Sequence, residues 1–510
     1  MKNLLTLFSF ALIINAHAQT QDLIALANGD FLGMNALYDE KSNLFGYISL
    51  YSYGKSGDKT KKFEYIILDK NLNPFANNKF DGDITAANYR GYMKFDGKII
   101  LKPTHVDLTL IKKDDAYTPS SMIIDLKENT VQKDVLYEFD HGRFIEKMQN
   151  DTWKENRKEV KEERKKNGFV YDASVIAIKE GGYLVFDYEF YKDFTRNCHV
   201  MLYDSSKKEI WRYEYGKYNT ESDWEYLRFI ERDKKHIYGI MSRSVGKGQT
   251  KYYLLVIDML TGKEVHKKEI DAPADVLSHI TSLPTYSYGE LNNDRAFDDK
   301  IVMVTRTTTP FGFYTGFARL MIDKTTFKTD YKTIAYGLDF KPYLPYINSY
   351  GQVEKFYNLD PRGIFFMKDG SVGILLEKYK AAGQYNAMKT TDLVYVYTDK
   401  DFKIKGAKVL EKDMSRWSNA DYLFAQYLND DNDLVFFYRD FQKDDETKQR
   451  NWNLFINTFI GGVFKQEMIP ISSKKNFIIF PYVAKEGYIL LQEFNKEGKY
   501  NQIRLEKLNY

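Results

Sequence analysis

The chain has 510 residues, a formal net charge of +3, 28% charged residues and 16% aromatic residues, among them 41 Tyr and 35 Phe. A charge balance this close to neutral lacks the basic footprint of a nucleic-acid binder, and no stretch after the N-terminus is apolar enough for a transmembrane helix. With Cys198 as the single cysteine, no intramolecular disulfide can form. Stability must then come from a large core, and the aromatic excess favours sheet.

Lys2 precedes a short apolar run over residues 4–14, and Ala16-His17-Ala18 places small residues at the −3 and −1 positions of a cleavage site. This is the pattern of an export signal over residues 1–18, too short to span a bilayer. No Cys follows the run, so a lipoprotein cut is excluded. The expected product is exported, periplasmic or secreted, and soluble after cleavage.

Residues 19–510 are expected to form a single all-β, β-propeller-like domain. Asp22-Leu23-Ile24-Ala25-Leu26 is a spare strand. Beyond it a unit recurs: an apolar strand after a Gly- or Asp-rich turn, a loop, an aromatic-rich strand ending near Asp, then a turn and a Lys-rich alternating strand. Residues 45–51 with 62–69 and 98–101 with 121–125 are the first, weaker copies.

Residues 143–167 interrupt the pattern with a charged helical insertion that stops at Asn167-Gly168. From Lys154 to Lys166 only Val160 is apolar, which is the composition of a solvated helix or a protruding arm. The clearest copies follow, at 181–213, 236–270, 300–335, 370–410 and 434–471. The last unit has only three strands, at 476–483, 487–494 and 500–508.

One further strand before each copy makes four per unit, with a repeat of about 60 residues. The prediction is therefore a propeller of eight four-stranded blades, with the N-terminal strand completing the last blade and removing two open edges. A seven-bladed ring or two β-domains are the rival architectures.

Chemistry-bearing patterns are sparse. The six histidines after the signal, His105, His141, His199, His236, His266 and His279, show no zincin spacing, and there is no Cys pair for zinc. No nucleophile elbow, P-loop or dinucleotide fingerprint occurs. Asp114-Asp115, Asp298-Asp299, Asp430-Asp431 and Asp444-Asp445 offer paired carboxylates of the kind glycoside hydrolysis uses, yet they sit beside Lys, Asn and Gly, where Asp makes turns. Cys198, in an apolar stretch, reads as a buried strand position.

Aromatic clusters between the repeated strands are the best candidate site: Trp224 and Tyr226; Phe311, Phe313 and Tyr314; Tyr343, Tyr346 and Tyr350. Such rings can form a platform for a protein, peptide or glycan, or can pack between blades.

Val256-Ile257-Asp258-Met259-Leu260-Thr261-Gly262-Lys263-Glu264-Val265 resembles the turn of quinoprotein-like propeller repeats, and residues 203–211 are a looser copy that keeps Trp211. The resemblance implies a propeller. The quinone-dependent enzymes of that family carry adjacent cysteines, which this chain lacks, so no cofactor is expected. In its Lys-, Asn- and Tyr-rich style the chain also resembles uncharacterised exported propeller-like proteins of the Bacteroidota.

The expected function is non-enzymatic binding at the cell envelope or outside the cell. A carbohydrate-active enzyme using loop carboxylates and a scaffold subunit of an envelope complex are the alternatives.

Overall fold

The computed structural model describes residues 20–39, 43–93, 97–106, 121–133 and 161–509, except 163, 179–181, 205, 207, 247, 282–293, 310, 382–388, 416–420, 444–449, 472–476 and 496. The export signal, most of the charged insertion, Asp114-Asp115 and Asp444-Asp445 lie outside these residues.

The described chain is almost entirely antiparallel sheet. Eight sheets follow one another, numbered here 1 to 8 in chain order: residues 30–83, 86–133, 170–215, 225–269, 294–335, 352–410, 422–470 and 477–507. All are up-and-down meanders, and the strand Thr20–Asp22 completes sheet 8. This is the β-propeller fold class with eight blades, so the seven-bladed alternative is excluded. Sheet 6 departs from the expected four strands: the two-residue strand Gln352–Val353 adds a fifth beside Tyr357–Phe366.

The chain divides into two compact units. Sheets 1, 2 and 8 belong to one, and sheets 3 to 7 to the other. Within each unit the apolar cores lie between consecutive sheets. Leu490, Ile503 and Leu505 of sheet 8 pack with Tyr47, Tyr51 and Ile66 of sheet 1. In the other unit, Val302, Val304 and Phe317 of sheet 5 pack with Ile374, Leu376 and Val394 of sheet 6. Both faces of the middle strands are thus buried, which explains near-continuous apolar runs such as Leu254-Leu255-Val256-Ile257. In sheets 1 to 7 the last strand is an edge. Glu264–Glu269 is mostly charged and exposed, which protects an edge from pairing with other chains.

Terminal pairing is present, but through residues 20–22 and not the expected 22–26. Gln21 stands opposite Ile503 and Asp22 opposite Gln502, whereas residues 23–26 form a turn. Leu23 is fully buried, its N–H bonds Asn501 O at 2.9 Å, and its carbonyl accepts the Tyr51 hydroxyl at 2.7 Å. Leu23 and the partly buried Leu26 pack into the core of sheets 8 and 1, and the polar residues before them supply the strand. Burial outweighed strand propensity here.

Two more elements went unforeseen. The strand Asp30–Tyr38 opens sheet 1, and a helix, α1 (Ala274–Thr281), buries Val276, Leu277 and Ile280 against sheets 4 and 5. Of the charged insertion, residues 161–162 and 164–167 are helical. They end as predicted at Gly168, where φ is +80° and the N–H bonds Arg164 O at 2.8 Å.

The recurring Asp has a physical task. In sheets 1 to 6, Asp69, Asp125, Asp204, Asp258, Asp323 and Asp399 stand at the end of the last strand but one. Each carboxylate accepts backbone N–H groups two to four residues on, as Thr261 N does to Asp258 at 2.8 Å. In five of these turns the chain then passes through a left-handed residue: Leu72, Asn129, Gly262, Phe327 or Phe402.

A side chain from a neighbouring sheet of the same unit grips five of these turns. Lys485 bonds Asn71, and Tyr65 bonds Asn129. Trp211 Nε1 donates to Met259 O at 3.0 Å, and the rings of His236 and His266 pack on Phe327. Arg319, 1% exposed, donates to the carbonyls of Lys400 and Gly370.

These turns set an acid limit on stability. Hydrogen bonds from the Ser206 hydroxyl, the Thr261 hydroxyl and the Thr326 N–H hold Asp204, Asp258 and Asp323 below the usual carboxylate range. A depressed folded-state pKa contributes stability that is present above the unfolded value, about 4, and lost as pH falls through the folded value. We expect the melting temperature to drop on acidification below about pH 4. In the Asp258→Asn/Asp323→Asn double variant that drop should be shallower. Equal slopes in the two proteins would refute the assignment.

Candidate aromatic surface

Sheet 5 supplies the first part of the surface. Its strands Lys300–Thr308 and Tyr314–Asp323 are joined by a hairpin in which Gly312 takes φ +81°. The hairpin leaves Phe311 87%, Phe313 58% and Tyr314 45% exposed. The Thr309 hydroxyl accepts the Phe313 N–H at 3.2 Å, and the Thr307 and Thr315 hydroxyls bond at 2.9 Å.

The second part is the connection from sheet 5 to sheet 6. It begins with a one-turn π-helix, Tyr336–Phe340, a rare element often found at functional sites. Tyr336, Phe340, Leu344 and Ile347 turn inward to the core, while Leu338, Tyr343, Tyr346 and Tyr350 stay exposed. Asn348 folds the following turn by accepting the N–H groups of Tyr350 and Gln352. Gly351, at φ +71°, is obligatory there: a Cβ would lie 2.6 Å from the Tyr336 ring.

Folding joins these two stretches. The rings of Phe313 and Tyr350 lie 5.5 Å apart at 52°. The Tyr343 hydroxyl bonds Ile404 O at 3.1 Å, which anchors the connection to the last strand of sheet 6. Of the predicted residues, Phe311, Phe313, Tyr314, Tyr343, Tyr346 and Tyr350 therefore share sheet 5 and the segment that follows it. Trp224 and Tyr226 do not join them. Trp224 precedes the strand Glu225–Arg232 of sheet 4 and Tyr226 lies within it, with no ring contact to this surface among the described residues.

Sequence reasoning missed Phe356, which is 77% exposed at φ +59°. A bulky residue in the left-handed region costs roughly 1–2 kcal/mol, and such strain clusters at functional positions. A lone Phe in a mixed segment gave no signal.

The charged groups behind the rings were also missed. The Arg306 guanidinium lies 4.2 Å over the face of Tyr314 and is ion-paired with Asp360. The other oxygen of Asp360 faces Arg362 at 3.4 Å. Arg362 bonds buried Glu377 at 2.6 Å, and Lys412 bridges Glu377 at 3.3 Å and Asp421 at 2.6 Å. The Tyr336 hydroxyl, within electrostatic reach of Arg306 and Asp360, is buried without a hydrogen-bond partner among the described residues, and burial pushes its pKa up.

The remaining predicted chemistry is placed as follows. Asp298-Asp299 lies in a bend and Asp430-Asp431 in a turn with φ of 57° and 65°. Cys198 is buried in the core of sheets 3 and 4, which pushes its thiol up to about 11. Among the described residues no group of three or more His, Cys, Asp and Glu is arranged for a metal ion, and no helix is long and apolar enough to cross a membrane.

No family model and no curated protein matches the chain. Among solved structures it is similar to the β-propeller domain of the Trilobed protease from Pyrococcus furiosus, at 10% identity over 88% of this chain and 97% of that one, with a TM-score of 0.31. It is also similar to an ulvan lyase of polysaccharide lyase family PL25, at 10% identity over 94% of each chain and TM-score 0.30. The polysaccharide lyase Uly1 is a third, at 9% identity over 91% of this chain and 88% of that one, with TM-score 0.34. These similarities assign no activity to the chain.

Proposed function

We propose that the chain is an exported, non-enzymatic binding module whose ligand rests on the surface of Phe311, Phe313, Tyr314, Tyr343, Tyr346 and Tyr350. The observation that carries this reading is the meeting of Phe313 and Tyr350, two exposed rings from separate stretches, at 5.5 Å. Leaving a large apolar side chain in water forgoes roughly 1.5–3 kcal/mol each. Tyr336 and Phe340 in the same connection are fully buried, so the exposure of their neighbours is selective.

Binding is favoured over carboxylate catalysis because Asp360, the carboxylate beside the rings, is held by two arginines. A scaffold acting through strand edges is disfavoured by the charged, exposed strand Glu264–Glu269. Export rests on the signal pattern over residues 1–18.

The test is binding of the chain starting at Gln19 to glycan and peptide arrays. The Phe313→Ala/Tyr350→Ala double variant, with unchanged melting temperature, is expected to lose at least tenfold in affinity. Equal binding by both proteins would overturn the reading.

A further inference from the structure

Resting on that surface, we propose that its ligand is a neutral glycan chain. The two stretches that build the surface, residues 307–318 and 342–353, contain no charged residue, in a chain where 28% of residues are charged. Their polar groups are hydroxyl and amide: Thr307, Thr308, Thr309 and Thr315 in the first, Asn348, Ser349 and Gln352 in the second, together with four tyrosines.

The flanking charges Arg306, Arg319 and Glu354 are ion-paired, and Lys341 is the exposed cation at the edge of the second stretch. Arg306 is neutralised by Asp360, and Asp360 is shared with Arg362. A sulfated or uronate-rich polymer would meet a single exposed cation, Lys341, at the edge of the two stretches and none within them, too little to hold a polyanion.

Shape leads to the same occupant. Phe311 and Tyr346, 87% and 77% exposed, leave most of their ring surface open to solvent. A helical or extended peptide buries its side chains in pockets or adds a strand to an edge. A pyranose instead offers a flat patch of C–H groups rimmed by hydroxyls. That patch stacks on one ring at a time, and the hydroxyls exchange hydrogen bonds with neutral donors and acceptors. The 52° tilt between Phe313 and Tyr350 suits successive residues of a chain that turn relative to each other.

The experiment presents the chain from Gln19 with three immobilised sets: neutral glucans, mannans and xylans; uronate and sulfated polysaccharides; and a random peptide library. Expected is saturable binding to a member of the neutral set, weakened at least tenfold by Phe313→Ala and by Tyr350→Ala, and changed less than twofold between 50 mM and 500 mM salt. Binding confined to the anionic set, with affinity falling steeply with salt, overturns the proposal. So does Phe313-dependent binding to peptides alone, although that result leaves the binding surface itself standing. If no set binds in a manner sensitive to Phe313 or Tyr350, both the ligand class and the surface are wrong.

Discussion

Glu377→Gln is expected to lower unfolding free energy by about 3–5 kcal/mol, the usual result of removing one partner from a buried ion pair. Glu377 and Lys412 have fully buried side chains and that of Arg362 is 4% exposed, so solvent cannot replace the lost carboxylate charge. Arg362 would keep Asp360 at 3.4 Å and Lys412 would keep Asp421 at 2.6 Å, which places the effect toward the lower end of that range. Lys412→Met should cost a similar amount, because it strands Asp421 and half of Glu377.

Residues in one network do not respond independently, so the double variant should lose less than the sum of the singles. Urea unfolding of the three variants at fixed pH measures all of this. A Glu377→Gln variant within 1 kcal/mol of the parent would show that the cluster contributes little.

Gly262→Ala is expected to cost about 2–4 kcal/mol, from two separable causes. The residue has φ +69°, where an alanine is strained by roughly 1–2 kcal/mol. In addition, the new Cβ would lie 2.5 Å from the Trp211 indole, which is held in place by its bond to Met259 O.

Trp211→Phe separates the two. By itself it should cost about 1 kcal/mol or more through the lost N–H bond. In the Trp211→Phe background Gly262→Ala should then cost mainly the backbone strain. If Gly262→Ala were equally costly in both backgrounds, the indole would not be what confines the turn. A tolerated Gly262→Ala would remove the reading of these turns as the places where one sheet holds the next.

That turn is also where the sequence is most legible. The residues around Asp258 and Gly262 mark the repeat by themselves, because the turn chemistry is local: a carboxylate reaches N–H groups two to four residues away. The aromatic runs are legible for a similar reason. A stretch such as Pro310-Phe311-Gly312-Phe313-Tyr314 cannot be both rich in rings and free of charge without standing out. Whether those rings face the core or the solvent is not readable from the sequence, since Tyr336 and Tyr346 are the same residue type and differ only in which way the connection turns.

Chain-local features of the sequence therefore determined the fold class, the eight-unit count and the turns, because the strand period and Asx hydrogen bonding act over a few residues. Tertiary structure alone decided what depends on distant partners. Leu23 became a core plug and left the strand to Thr20–Asp22, because the space between sheets 8 and 1 had to be filled. Arg362, Glu377, Lys412 and Asp421 became one buried cluster because strand pairing brought together charges that in sequence look like solvated surface. Phe313 and Tyr350, 37 positions apart, became neighbours because sheet 5 and the connection to sheet 6 fold onto one core.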